Sequence, residues 1–270
     1  MKTLPLGGLL VAVALLLPGL CAAQGVAVVG ELVRTSQLLP GERGEGTIVV
    51  QNVSPKVQRL RLYQTDYAFS ADGKTVYGEP GQSPRSNARW FTIAPKTLEI
   101  PVGGEDVVSY AITVPNDATL TGTYWSVIML EVLGPAAEAA AAQAQAPRAG
   151  VRTVMRYGVQ MITEIGDTGA RDLQYRHAGL VNVGEARVLQ VDLANTGERS
   201  LIPTVWAELF DEKGVRTGRF TGGRLRLYPG CSGRFEIDLG KTVPGKYKAL
   251  VVADNGDDNV FGTQYQLEIR

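Results

Sequence analysis

The chain has 270 residues, and its 27 Lys and Arg residues are balanced by 27 Asp and Glu residues, so the formal net charge is +0. Without a basic excess, the composition gives no support for binding to nucleic acid or to an anionic membrane surface. The chain has a single His, which excludes a metal site built from several histidines.

Residues 1–23 have the pattern of a secretory signal peptide. Lys2 precedes an apolar run over Leu4–Leu17, and the small residues Cys21-Ala22-Ala23 predict cleavage before Gln24. The run is short for a membrane span, which takes roughly 20 residues. A lipid anchor on Cys21 is the weaker alternative, because Leu20 stands where such signals carry a small residue. We therefore expect a periplasmic protein with no membrane span.

The remainder of the chain has the pattern of an all-β protein. Short apolar or alternating segments are separated by Gly, Pro, Asn and Asp groups, and almost nothing has the spacing of a helix. This pattern predicts antiparallel β-sandwiches. A turn group over 166–169 divides the chain into a first domain over 24–165 and a second over 170–270. Strands are predicted at Val26–Val33, Gly46–Asn52, Val57–Tyr67, Trp90–Ile93, Thr97–Ile100, Val107–Val114, Gly122–Val132, 151–165, Val188–Leu193, Thr204–Phe210, Arg224–Leu227, Arg234–Leu239, Tyr247–Val252 and Gln264–Ile269.

Two tyrosines indicate the type of sandwich. Tyr124 and Tyr247 each follow a Gly-x pair at the start of a strongly apolar strand, after a turn that contains Pro115 or Pro244. This is the position of the tyrosine corner in immunoglobulin-like sandwiches, where the hydroxyl bonds back to the main chain. We therefore predict two tandem immunoglobulin-like β-sandwich domains after a cleaved signal peptide.

Two segments are predicted to be loops. Residues 70–89 are rich in Ser, Gly, Pro and Asp, which indicates a long surface loop. Residues 134–150 are rich in Ala but carry no large apolar side chain that could dock them, which indicates a flexible loop with transient helix. On a second interpretation, this flexibility frees the following strand for a partner.

That following segment, 151–165, alternates between an apolar and a mostly polar face. A strand of this length exceeds the usual five or six residues by a wide margin. It can close its own sandwich, or its first half can pair with another chain; the sequence leaves both open. The apolar face contains Val151, Thr153, Met155, Tyr157, Val159, Met161, Thr163 and Ile165.

No arrangement of residues points to catalysis. His177 lies between charged and small residues and is expected to be an ordinary surface side chain. Cys231 lies in a turn and has no base beside it, so we expect an unreactive thiol and no enzyme activity. Trp90, Trp125 and Trp206 fall within strand patterns and are predicted to pack in the sandwich cores.

The acidic segment Asp254–Asn259 has two interpretations. Its Asn-Gly pair between apolar segments is a strong hairpin signal. Its oxygen ligands could also bind calcium, but their spacing does not match the EF-hand loop. We predict the hairpin turn and no cofactor.

The first domain resembles the N-terminal domain of the periplasmic pilus chaperones of the chaperone–usher pathway. The resemblance rests on Glu31–Thr35, Gly46–Asn52, the aromatic-x-x-x-Pro pattern in Trp90–Leu98, the Gly103–Tyr110 entry to the next strand, and Gly122–Val132 followed by a variable loop and the strand 151–165. It implies two immunoglobulin-like domains with a binding cleft between them. The second domain is similar to the family's C-terminal sandwich only in a general way.

The resemblance also implies a mode of binding. In that family the last strand of the first domain adds to an incomplete pilin sandwich and donates alternate side chains, which here would be Val151, Thr153, Met155 and Tyr157. Arg34 matches the arginine that the family uses to bind the subunit's terminal carboxylate. The family's partner lysine has no counterpart in 151–165, where Arg152 and Arg156 are the substitutes.

Two functions are compatible with these observations. The first is an exported chaperone-like protein that holds a pilin-like or other secreted β-rich subunit by strand donation, with an outer-membrane usher as a further partner. The second is a structural or adhesive two-domain module of the cell envelope that binds through loops such as 70–89.

Overall fold

The computed structural model describes residues 25–133, 154–184 and 186–269. The predicted signal peptide and the Ala-rich segment 134–150 lie outside this part of the chain. The regular secondary structure of the described residues is β-strand, apart from one 3-10 helix at Ala88–Trp90. The strands are β1 Val26–Val29, β2 Val33–Leu38, β3 Arg43–Asn52, β4 Gln58–Phe69, β5 Thr75–Gly78, β6 Phe91–Ala94, β7 Thr97–Ile100, β8 Glu105–Thr113, β9 Gly122–Leu133, β10 Arg156–Ile165, β11 Leu173–Val183, β12 Ala186–Asn195, β13 Thr204–Phe210, β14 Arg216–Arg224, β15 Ser232–Asp238, β16 Gly245–Asp254 and β17 Val260–Ile269.

Strands β1 to β10 form the first sandwich. A four-stranded sheet has the order β1-β3-β8-β6. The six-stranded sheet facing it has the order β2-β10-β9-β4-β5, with β7 also paired to β4. Alternate residues of both sheets point inward, as expected for a sandwich in which each strand has one buried face. The core between the sheets includes Ile48, Val50, Leu60, Ile93, Ile100, Val108, Ile112, Ile128 and Leu130.

Strands β11 to β17 form the second sandwich, from a three-stranded sheet of order β11-β12-β15 and a four-stranded sheet of order β14-β13-β16-β17. The Tyr247 hydroxyl donates a hydrogen bond to the Val243 carbonyl oxygen at 2.8 Å, which is the predicted tyrosine corner. The chain is therefore an all-β protein with two immunoglobulin-like sandwiches in tandem. The second core includes Leu189, Val191, Leu193, Val205, Ala207, Leu209, Phe235, Ile237, Ala249 and Val251.

An apolar cluster joins the two sandwiches. The rings of Trp125 and Tyr228 stack with their centroids 4.7 Å apart and their planes 7° from parallel. Ile162 and Cys231 complete the buried part of the cluster, and the Tyr228 hydroxyl donates a hydrogen bond to Gln160. Both domains therefore contribute buried side chains to this joint.

Main-chain contacts tighten the same joint. The Thr123 amide donates to the Glu198 carbonyl at 2.9 Å, and the Ser200 amide donates to the Thr123 hydroxyl at 2.8 Å. Gly122 has a φ of +71°, and any side chain there would collide with the Glu198 carbonyl. This close approach of two backbones requires glycine.

The predicted positions of two tryptophans need correction. Trp125 and Trp206 do not lie in the sandwich cores: Trp125 lies in the domain joint, and Trp206 lies on an outer sheet face under the Arg219 guanidinium, which is 4.2 Å from the ring centroid. In both strands the side chains on the face opposite to the tryptophan fill the core, such as Ile128 in β9 and Val205 in β13.

The predicted surface loop 70–89 is also more ordered than expected. It contains β5, and Asn87 within it is fully buried. The Asn87 side chain donates to the Met161 carbonyl at 3.0 Å and to the Thr163 hydroxyl at 2.9 Å. Polar composition concealed this anchoring, because a buried Asn that satisfies strand carbonyls looks like a loop residue in sequence.

Candidate functional site: the open edge of strand β10

Strand β10 has a neighbour along its whole length on one side only. It pairs with β9 antiparallel from Arg156↔Glu131 to Ile165↔Gly122. On the other side, the parallel pairing with β2 starts only at Gln160↔Val33. Among the described residues, the segment Arg156–Val159 therefore has an open edge.

The path of the chain before β2 explains this open edge. β1 lies in the opposite sheet, where it pairs with β3. The chain then crosses to the β10 sheet through Gly30, whose φ of +89° is a conformation that glycine adopts without strain. Since the crossing uses residues 30–32, β2 reaches the sheet too late to cover the first residues of β10.

The main-chain groups at this edge point in a definite direction. The Gln160 amide donates to the Leu32 carbonyl at 2.8 Å, so Gln160 faces β2. Direction alternates along a strand paired in this way. The amide and carbonyl groups of Arg156 and Gly158 consequently face the open side, whereas those of Tyr157 and Val159 face β9.

The apolar face of β10 divides into two parts. Val159, Met161 and Ile165 are buried in the first domain's own core. Tyr157 is half-buried against that core, and its hydroxyl donates to the Met155 sulfur at 3.3 Å. Met155 is 43% exposed. The part of the strand from Val159 onward therefore closes its own sandwich, and Met155, just before the strand, is an exposed large apolar side chain at the open end.

The predicted strand over 151–165 was too long at its start. Within the described residues the strand begins at Arg156, and Val154 and Met155 precede it. The last main-chain bond to the neighbouring strand is donated by the Val132 amide to the Met155 carbonyl at 3.0 Å. The candidate donor residues Val151 and Thr153 and the candidate anchor Arg152 lie outside the described residues.

Arg156, the remaining candidate for carboxylate binding on this strand, belongs to a charge cluster on the outer face of the sheet. Its Nε donates to Glu131 Oε2 at 2.8 Å, and Arg61 Nη2 donates to Glu131 Oε1 at 3.1 Å. The Tyr63 hydroxyl donates to Oε2 as well, at 3.1 Å. The Glu131 side chain is 8% exposed, whereas those of Arg61 and Arg156 are 56% and 54% exposed.

The cluster keeps Glu131 ionised. Burial alone would raise the pKa of the Glu131 carboxyl, but the hydrogen bonds from Arg156 and Tyr63 and the charges of both arginines outweigh it and hold that pKa below its usual range. Two positive groups surround one negative group, so the cluster carries a surplus positive charge beside the open edge.

Arg34 occupies a different place from Arg156. It pairs with Met161, whose side chain lies in the first core, so Arg34 lies on that face of β2. The adjacent Val33 lies on the other face and packs into the cluster that joins the domains. The Arg34 Nε atom is buried and has no hydrogen-bond partner within the described residues. The structure does not bring Arg34 and Arg156 together.

Sequence reasoning missed Glu131, Arg61 and Tyr63. A clue was present, because Glu131 interrupts the apolar run of β9, and a buried carboxylate requires charged or hydrogen-bonding partners. The partners come from β4 and β10, which are far from Glu131 in the chain, so only the sheet register identifies them.

The other residues considered for chemistry are also located. His177 is exposed, as predicted. Cys231 is buried in the domain joint, where burial raises the pKa of its thiol. Asp254–Asn259 forms the predicted hairpin turn between β16 and β17. Within 25–133, 154–184 and 186–269, no group of three or more His, Cys, Asp or Glu side chains is placed to hold a metal ion.

Comparison with solved structures finds fimbrial chaperones. The class 5 fimbriae chaperone CfaA matches with a TM-score of 0.47 and 7% identity, over 89% of this chain and 98% of that chain. The chaperone–tip subunit complex CsuC–CsuE from the archaic Csu pili of Acinetobacter baumannii matches with a TM-score of 0.44 and 12% identity, over 89% and 97%. The E. coli chaperone DraB matches with a TM-score of 0.42 and 12% identity, over 91% and 98%.

The chain is similar in fold to these chaperones. No family model matches it, and no curated protein matches it in sequence. The assignment of two immunoglobulin-like sandwiches rests on the chain's own strand order and tyrosine corner. No helix in the described part of the chain is long and apolar enough to cross a membrane.

Proposed function

We propose that this chain is an exported, chaperone-like binding protein of the periplasm. It holds a secreted β-rich subunit of the pilin kind by pairing the open edge of β10 with an extended segment of that subunit. An outer-membrane usher is a further partner. The kind of subunit is taken from the resemblance of the first domain to pilus chaperones, and the export route from the predicted signal peptide.

The open edge over Arg156–Val159 is the observation that supports the proposal. An edge with unpaired amide and carbonyl groups is a template for an added strand, and proteins that have no such partner usually cover or blunt it. Strand addition provides affinity through main-chain hydrogen bonds and selectivity through alternate side chains. Here the main-chain groups are those of Arg156 and Gly158.

The side chains have separate roles in the proposal. Met155 and Tyr157, with Val151 and Thr153 before them, donate apolar surface to the incomplete sandwich of the subunit. Met155 is already exposed, whereas Tyr157 would have to turn away from its own core. Arg34 and Arg152 remain proposed contacts for acidic groups of the subunit.

The second candidate is a structural or adhesive envelope module. The observation that favours it is the burial of Val159, Met161 and Ile165 in the chain's own core. On that account β10 only closes the first sandwich, and no partner needs the segment before Val159.

Site-specific photo-crosslinking in the native host distinguishes the two. A benzoylphenylalanine replaces Met155 in one variant and Val215 in a matched control, since Val215 is similarly exposed but lies in the second domain. We expect Met155 to crosslink to one secreted β-rich protein, identified by mass spectrometry, and Val215 not to do so. Identical adducts at both positions, or adducts at neither, would reject strand addition.

A further inference from the structure

A cross-strand charge pair follows from the cluster beside the open edge. We infer that Arg156 selects for an acidic residue on the strand that adds to β10. The inference rests on the proposed function, because it requires a strand to pair with the segment Arg156–Val159. Arg156 would recognise the side chain directly opposite it on the added strand.

The charged groups of the cluster do not balance one another. Glu131 carries one negative charge and is approached by Arg61 and Arg156, with a further hydrogen bond from Tyr63. Arg61 lies on β4, on the far side of β9 from the open edge. The two arginines share one carboxylate, so the cluster keeps a surplus positive charge, and Arg156 is its member on the strand with the open edge.

Arg156 has hydrogen-bond donors that the cluster does not use. A guanidinium group has five N–H donors, and Arg156 uses only its Nε within the described residues. Its side chain is 54% exposed, so the Nη groups are accessible to solvent. Fixing the guanidinium through Nε reduces the conformational entropy that a carboxylate ligand would otherwise have to overcome.

The Arg156 side chain lies where it can contact a strand that pairs with the open edge. Arg156 and Gly158 present their main-chain groups to the open edge, and the Arg156 side chain lies on the outer face of the sheet together with Glu131 and Arg61. Directly opposite residues of paired strands have their side chains on the same face and within contact distance. An Asp or Glu opposite Arg156 would therefore meet its free N–H groups, whereas a Lys or Arg would face a surplus positive charge.

A pair of peptides tests this selection. Both have about ten residues of alternating Val and Thr, which is the upper end of the usual strand length, and they differ only in one central Glu or Gln. Fluorescence anisotropy measures their affinity for the chain without residues 1–23. We expect the Glu peptide to bind about tenfold more tightly, as for a charge-assisted hydrogen bond. In Arg156→Gln the ratio should fall to about one.

The matched control is Arg216→Gln. Arg216 is similarly exposed and also donates to a glutamate, Glu208, but in the second domain; it should leave the tenfold ratio intact. A ratio that persists in Arg156→Gln, or equal binding of both peptides by the wild type, would overturn the role of Arg156 and leave strand addition standing. Binding of neither peptide would overturn both proposals.

Discussion

At the scale of single residues, Glu131 shows how a nearly buried carboxylate can be stable on the face of a sheet. A carboxylate with 8% side-chain exposure would be costly without partners. Two guanidinium groups and a phenol supply three hydrogen bonds and more positive charge than Glu131 needs. The excess positive charge lies beside the only part of β10 that lacks a second neighbour among the described residues.

The stability that Glu131 contributes should depend on pH. Its pKa is lowered in the folded chain, so the contribution is present above the unfolded-state pKa and is lost as the pH falls through the folded-state pKa. We expect Glu131→Gln to lower the free energy of unfolding by about 1–2 kcal/mol at neutral pH and by a smaller amount at acidic pH.

Urea unfolding at both pH values measures the difference. Glu99→Gln serves as the control, because Glu99 forms an exposed pair with Arg59, and such pairs contribute at most about 1 kcal/mol. An equal loss for Glu131→Gln at both pH values would show that the cluster stabilises by packing and not by charge.

At the scale of elements, the segment after β5 is held by one carboxylate. Asp66 of β4 accepts hydrogen bonds from the amides of Gly81, Gln82 and Ser83, at 3.0, 2.8 and 2.6 Å, and from the Ser86 hydroxyl. This arrangement leads the chain to the buried Asn87, which ties it to β10. A segment with the composition of a surface loop thereby becomes part of the sheet that carries the open edge.

Removal of this carboxylate should release the segment. In Asp66→Ala, three amides lose their acceptor, and we expect a loss of about 2–3 kcal/mol in unfolding free energy with faster proteolysis between residues 79 and 87. Asp72→Ala removes a carboxylate that caps only an exposed turn and should change neither. Unchanged proteolysis in Asp66→Ala would show that other contacts hold the segment.

At the scale of the whole molecule, the domain joint contacts the same strand that carries the open edge. Gln160 and Ile162 of β10 contact the joint directly, through Tyr228 and the Trp125 cluster. The same strand therefore carries the open edge at its start and the domain joint further along. Loosening the joint would change the orientation of any subunit bound at the edge.

Trp125→Ala tests the joint. It removes a ring stacked on Tyr228, and we expect a loss of about 3–5 kcal/mol in unfolding free energy, typical of a buried Trp, with a larger radius of gyration by small-angle scattering. Trp206→Ala removes a ring that covers only an outer face and should cost about 1 kcal/mol at unchanged radius. Equal effects of the two substitutions would contradict the assigned role of Trp125.

The sequence was sufficient for the fold but not for the site. Alternation and turn residues predicted most of the strands, and Tyr247 predicted the sandwich type, because these signals are local. Strands β5, β11 and β14 were not predicted, and the strand expected at Arg224–Leu227 overlaps β14 only at Arg224. The two faces of β9 are both apolar, so periodicity could not separate the Trp125 face from the Ile128 face. The open edge depends on where β2 joins β10, and Arg156 depends on a carboxylate in another strand; both are matters of register between distant segments.

The proposed function requires the main chain of β10 to pair with a partner strand at Arg156 and Gly158. Amide hydrogen exchange at these two residues, measured in the free chain and in the complex with the crosslinked subunit, tests it directly. We expect both amides to exchange rapidly in the free chain and to become as protected in the complex as those of Tyr157 and Val159. Rapid exchange at Gly158 in the complex would contradict the claim.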